Sequence, residues 1–295
     1  MSEPAVLTEV ADGVMTITIN RPQAKNAVNK DVAVGIAAAL DALDADDNTH
    51  VVILTGAGGT FCSGMDLKAF VTGETPYVEG RGFAGMVQRS TDKPLIAAVE
   101  GYALAGGCEL AITCDLIVAA DNSKFGIPEV KRGLAAAAGG LVRLPRQIPS
   151  RVAMEMALTG DFMDADRALS LGLINQIAPA GEALAQAKAL AAKIAENGPL
   201  AVKRSKQVIK ESIDWSQDDM FDKQQAALQQ RVTQLQQQYP NVDCVVRQGI
   251  PFVEIVRQVK SGGHDLLILD AVSHKPGHKR FMGSTTKHVL RKCPC

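Results

Sequence analysis

The first 120 residues alternate short apolar runs with a stretch that repeats its apolar positions at helical spacing. Residues 13–20 (GVMTITIN) alternate at period two and predict a strand, which Arg21-Pro22 ends. Residues 29–43 carry apolar side chains at helical spacing and predict a helix. Residues 50–55 (HVVILT), 94–99 (PLIAAV) and 116–120 are continuous apolar runs, which predict strands buried on both faces. Residues 56–64 read as a glycine-rich loop, 101–107 as a glycine break, and 108–114 as a helix. After Gly133 the pattern is helical over 151–158, 164–171, 181–197 and 200–212. Short buried strands alternating with helices argue for an α/β fold with a largely parallel sheet. The alanine-rich helices that follow suggest a helical cap or an assembly surface.

Composition narrows the class. The chain has 295 residues, 46% hydrophobic and 21% charged, with 31 Lys/Arg against 32 Asp/Glu and a net charge of −1. That is a soluble globular balance, long enough to bury a core without a disulfide or metal staple. Near-neutral charge gives no electrostatic reason to expect nucleic acid or an anionic membrane as partner. The longest uncharged apolar stretch, 133–142, is far short of the roughly 20 residues that span a bilayer. The start, MSEPAVLTEV, has no basic-then-apolar pattern of a signal peptide. Six cysteines without paired spacing read as reduced thiols, and a cytoplasmic location is expected.

Charge is unevenly placed. Residues 226–295 hold ten Lys/Arg and four Asp/Glu, a net of +6, and four of the five histidines. A glutamine-rich stretch, 224–238, sits at the seam. A boundary near 225 is expected, with domains at 1–225 and 226–295.

Residues 51–263 contain no histidine, which removes Ser-His-Asp and Cys-His machinery from the centre of the chain and makes a His-ligated metal there implausible. Carboxylates and backbone dipoles remain. Glu109 lies in AGGCEL, just inside a helix opening at Gly106-Gly107, where free amides make an anion site. Glu129 follows Pro128 in FGIPEV. Both readings stay open for each: a functional acid, or a helix-dipole partner for Glu109 and a solvated first-turn acid for Glu129. Gly64 precedes Met65 and leaves the Met65 amide free to face a cleft. The surrounding loop lacks the spacing of a phosphate-binding or dinucleotide fingerprint.

The segments NRPQAKNAVN, LTGAGGTFCSGMDLKAF, KPLIAAVEGYALAGGCELAITCDLIVAA, FGIPEVKRGL and MEMALTGDFMDADRALSLGLINQI together resemble the enoyl-CoA hydratase/isomerase (crotonase) superfamily, in the family's order, over residues 5–215. The resemblance implies stacked ββα turns forming a spiral, followed by helices that mediate trimer packing. It implies an acyl-CoA thioester oxygen held between the amides of Met65 and Gly106, with Glu109 and Glu129 at the two carboxylate positions that hydratases use. Candidate substrate and CoA contacts are Lys25, Ala27, Ser63, Gly64, Asp66, Leu67, Lys68 and Gly107. Phe70, Phe83 and Met86 are candidates for either acyl-tunnel walls or core. No cofactor is expected, since coenzyme A is part of the substrate. A homotrimer or hexamer is implied where the altered C-terminus permits it. The expected function is enoyl-CoA hydration. Alternatives are isomerisation or carnitinyl-CoA dehydration and, from another class, a non-catalytic acyl-CoA or nucleotide sensor.

Two departures stand out. GLAAAAGGLVRL (133–144) replaces the family's proline-glycine segment behind the second glutamate and is expected to alter the acyl pocket. From about Ala226 the resemblance stops, and the rest resembles the second half of a universal stress protein domain. It reads as a helix, strand 242–249, helix 251–262, strand 264–272, a glycine loop from Gly277 to Gly283-Ser284-Thr285 and a helix. The fold's other strands are missing, so ATP binding is not expected.

Overall fold

In a computed structural model that describes residues 3–228 and 250–262, the chain opens on an antiparallel hairpin, β1 (Val6–Ala11) and β2 (Val14–Ile19). Helix α1 (Lys30–Ala45) follows, its Asn29 side-chain oxygen accepting from the Val32 amide at 3.1 Å. That cap satisfies one of the amides a helix leaves unpaired at its start. Strand β3 (Val51–Gly56) then runs parallel to β2. A long loop leads to α2 (Leu67–Val71) and a small hairpin, β4 (Tyr77–Val78) with β5 (Gly82–Phe83).

Two turns of the chain then repeat one plan. Strand β6 (Leu95–Val99) joins the large sheet beside β3, β7 (Tyr102–Leu104) leaves it, and α3 (Gly106–Ala111) closes the turn. Strand β8 (Leu116–Ala120) joins beside β6, β9 (Lys124–Gly126) pairs parallel with β7, and a 3-10 helix (Pro128–Arg132) follows. Helices α4 (Gly140–Gln147) and α5 (Ser150–Thr159), strand β10 (Met163–Asp164), helix α6 (Ala165–Ser170), strand β11 (Gln176–Ala178) and helices α7 (Ala183–Ala195) and α8 (Pro199–Glu211) complete the series. The six-stranded sheet has the order β1-β2-β3-β6-β8-β11 and the three-stranded sheet β10-β9-β7. This is the expected α/β architecture, a spiral in which the turns from β6 onward feed both sheets.

Period two explains how one sheet serves two cores. Val51 and Ile53 of β3 pack with Ala187 and Ala191 of α7, while Val52 and Leu54 point the other way, into the core that contains Ile36 and Leu40 of α1. Small alanines on α7 let that helix approach the strands closely. Phe61, Phe83 and Phe125 are fully buried on the larger side, each worth about 1.5–3 kcal/mol of transfer from water.

Two elements differ from the sequence pattern. The stretch 101–107 is not simply a break: Tyr102–Leu104 is a strand, bounded by positive φ at Gly101 (+55°) and Ala105 (+50°). Helix α3 starts at Gly106, two residues before the apolar pattern begins. Strand β1 carries mostly exposed residues at a sheet edge, so it leaves little hydrophobic signature.

Chain compactness divides residues 1–203 from 204–295. Within the second unit, residues 220–228 are helical and Pro251–Gly262 forms a helix, as its sequence predicts. The strands at 242–249 and 264–272 and the loop at 277–285 lie outside the described residues. Among the described residues no helix is long and apolar enough to cross a membrane.

Candidate active site

Three loops meet at the mouth of the small sheet. The segment before α1, the loop after β3 and the β7–α3 junction are stitched by backbone hydrogen bonds. Ser63 N donates to Lys25 O at 3.0 Å, Val28 N to Gly64 O at 2.8 Å, Asp66 N to Val28 O at 2.9 Å, and Leu104 N to Cys62 O at 3.0 Å. Gly64 has φ +105°, and a Cβ there would lie 2.9 Å from the Ala105 Cβ and 3.2 Å from the Gly106 nitrogen. Only glycine permits that backbone and that approach. At Gly107 an added Cβ would lie 2.0 Å from the Cys62 carbonyl oxygen.

Among the described residues, neither the Met65 nor the Gly106 amide donates a hydrogen bond. The reason is local. In the Val28–Met65 bridge the neighbouring residues Gly64 and Asp66 carry both hydrogen bonds, and Gly106 is the first residue of α3. The Ala105 backbone, at φ +50° and ψ −128°, turns that helix start, with its own amide donating to Gly126 O at 2.8 Å.

Glu109 lies three residues into α3, on the same face as Gly106. It is 2% exposed, and its Oε1 accepts from the amides of Ala138 and Gly140, each at 2.8 Å. Burial pushes its carboxyl above the ordinary glutamate value, against the pull of those two amides and of the Arg143 guanidinium. Glu129, on the 3-10 helix, has a buried Oε2 with no hydrogen-bond partner. Burial raises it as well, its own amide counteracts, and the charge of Glu109 adds to the rise. Twenty residues apart in sequence, the two carboxyls are brought within electrostatic reach.

The other candidates divide between the site and its surroundings. Lys25, at φ +49°, places its ammonium 5.8 Å from the Tyr102 ring centre. The Ala27 carbonyl accepts from Arg21 Nη1 at 2.6 Å. Asp66 caps α2 by accepting from the Lys68 and Ala69 amides, and Arg21 Nη2 lies 2.8 Å from its Oδ2. Leu67, Lys68 and Phe70 are exposed on α2. Phe83 and Met86 are buried, with Phe83 against Gly106 and edge-on to Tyr77 at 5.7 Å. Among the described residues no cluster of three metal-ligating side chains occurs.

Sequence reasoning missed Arg21, Arg143 and the Ala138 and Gly140 amides. A cation inside the otherwise apolar run GGLVRL was the available signal for Arg143. The amides carry no side-chain identity and leave no signal at all.

Comparison with known proteins now bears on this geometry. Residues 9–246 match the family described as enoyl-CoA hydratase/isomerase. The chain is 41% identical over 228 residues to enoyl-CoA hydratase EchA19 of Mycobacterium tuberculosis, covering 75% of this chain and 85% of that one. It is similar to the crystal structure of an enoyl-CoA hydratase from Mycobacterium tuberculosis H37Rv at 56% identity and a TM-score of 0.75, over 81% of this chain and 97% of that one. It is also similar to a carnitinyl-CoA dehydratase structure from Mycobacterium avium at 45% identity and a TM-score of 0.68, over 77% and 93% of the two chains. The family match continues to residue 246, so the change of character near 225 does not mark where the resemblance ends.

Proposed function

Because this chain belongs to the enoyl-CoA hydratase/isomerase family, we propose that it catalyses the reversible syn addition of water to a 2-enoyl-CoA thioester. The reading is supported by the electrostatic coupling of Glu109 to Glu129 and by the Met65 and Gly106 amides, which donate no hydrogen bond among the described residues. Adding hydroxide at the β-carbon pushes electrons through the double bond onto the thioester oxygen, forming an enolate. In this reading the Met65 and Gly106 amides hold that oxygen. One such fixed donor is worth about 2.7–4 kcal/mol in the transition state, because it need not reorganise as charge develops.

The environments of the acids suggest their division of labour. Burial raises the Glu109 carboxyl in spite of the two amides and Arg143, which brings it nearer the working pH of a base that takes a proton from water. Glu129 has one amide against burial and feels the negative charge of Glu109, which favours its protonated form. It delivers that proton to the α-carbon as the enolate collapses. Dehydration reverses both roles. Lys25, Ala27, Ser63, Gly64, Asp66, Leu67, Lys68 and Gly107 surround the CoA and thioester positions in this reading, and no further cofactor takes part. A homotrimer or hexamer belongs to the same proposal.

A second reading, dehydration of a carnitinyl-CoA-type substrate, uses the same pair in reverse and is favoured by the alanine run behind Glu129. The test is loss of the enoyl thioester absorbance on adding crotonyl-CoA, beside turnover of carnitinyl-CoA. If CoA esters bind and neither substrate turns over, the lyase reading falls and the sensor reading replaces it.

A further inference from the structure

Arg143 lies on α4, one turn beyond the glycine whose amide holds Glu109. Its Nη1 reaches the Ala138 carbonyl at 3.4 Å and its Nη2 donates to the Val87 carbonyl. One planar guanidinium thereby joins the segment 138–140 to the chain beyond β5. The Ala138 and Gly140 amides that grip Glu109 flank Gly139, which has φ +110°. A Cβ at Gly139 would lie 2.0 Å from Arg143 Nη1, so the backbone nests on the guanidinium only because glycine is there. The preceding residues, LAAAA (134–138), include neither a proline nor a polar side chain to order them. Holding such residues in one conformation costs conformational entropy, which contacts from elsewhere must offset.

We propose that Arg143 is the positioning residue for Glu109, bridging the Val87 and Ala138 carbonyls so that the 138–140 amides hold the carboxylate in one place. The inference rests on the reading of Glu109 as the base but can fail separately from it. The charged and titratable groups that act on Glu109 come from several elements. Arg143 on α4 supplies positive charge, and Glu129 on the 3-10 helix is a second acid, itself raised by burial and by the charge of Glu109. Tyr77 on β4 is a phenol raised by burial and by Glu109, and Cys108 on α3 is a thiol pushed up to about 12 by burial. Removing Arg143 takes away stabilisation of the ionised carboxylate and frees the two amides to move.

The experiment is a carbon-13 NMR titration of the full chain labelled at glutamate carboxyls, with Glu109 assigned by its absence in Glu109→Gln. In Arg143→Met, Glu109 is expected to titrate at higher pH than in the parent. Turnover of crotonyl-CoA by this variant should fall roughly 10–100-fold in kcat, the scale of a misplaced catalytic group, with KM little changed. Arg143→Lys keeps the charge but cannot span both carbonyls, so its titration should stay near the parent's while kcat still falls and the Ala138 and Gly140 amides exchange faster. A folded Arg143→Met with unshifted Glu109 titration overturns the proposal. So does Arg143→Lys with parental kcat and amide protection, and that variant decides the matter if Arg143→Met does not fold. Failure of the parent to hydrate crotonyl-CoA would instead sink the functional reading, leaving the titration and amide exchange to decide on Arg143.

Discussion

Arg21 Nη2 and Asp66 Oδ2 lie 2.8 Å apart, tying the segment before α1 to the cap of α2. The pair is mostly buried, with side-chain exposures of 18% and 14%, so water screens it weakly. Burial raises Asp66, but the Ala69 amide and the Arg21 guanidinium outweigh it and hold the carboxyl below its ordinary value of 3.8. A depressed carboxyl contributes stability that is complete above the ordinary value and is lost as pH falls through the folded one. Arg21→Met should therefore cost about 1.5–3 kcal/mol at neutral pH, the range for a hydrogen bond to a charged group. Urea denaturation should show this difference shrinking below pH 4.

Gly64→Ala adds a methyl group 2.9 Å from the Ala105 Cβ on backbone that L-residues rarely adopt. In the proposed mechanism, moving the Met65 or Gly106 amide by a fraction of an ångström weakens its hold on the thioester oxygen. Turnover of crotonyl-CoA is expected to fall about 10²–10³-fold, the loss associated with one oxyanion donor. Unchanged kcat in a folded Gly64→Ala would argue against Met65 and Gly106 as the donor pair.

Removing either acid should be severe for catalysis. Glu109→Gln and Glu129→Gln are each expected to lower kcat for crotonyl-CoA about 10²–10⁴-fold, the contribution of a positioned general acid or base. Near-parental rates for both would contradict the proposed roles.

Stability should move the other way for Glu109→Gln. A carboxyl raised above its ordinary value of 4.5 by burial destabilises the fold wherever it is ionised. That penalty is complete above the raised folded value and disappears as pH falls to the ordinary one. The glutamine oxygen can still accept from the Ala138 and Gly140 amides. Thermal melting of Glu109→Gln should thus occur above the parent's Tm at pH 8, with the gap closing towards pH 4.

Cys62 and Cys108 are buried, and burial pushes both thiols up to about 12. The thiolate is the reactive form, so at neutral pH both should resist alkylation in the native protein. Peptide mass spectrometry after iodoacetamide should find them modified only when denaturant is present.

Much of the fold was legible along the chain. The runs VVILT and LIAAV announce strands buried on both faces because neither face carries a polar side chain. The glycine pair before Glu109 announces a helix start with free amides, and the ordered motifs announce the family. Strand β7 was hidden because it is three residues long between glycine-permissive turns, and β1 because an edge strand needs no apolar face.

Local pattern alone determined the alternation of strands and helices and the glycines at forced turns, while the two acids were candidates by their setting and took roles only through the resemblance. Only the folded chain decided that Glu109 comes within electrostatic reach of Glu129, that the Met65 and Gly106 amides donate no hydrogen bond among the described residues, and that Arg143 clasps the segment gripping Glu109. The physical reason is that hydrophobic periodicity reports which side of an element is dry. Hydrogen bonds from backbone amides and the distance between charges depend on where remote segments come to rest, and no side chain records them.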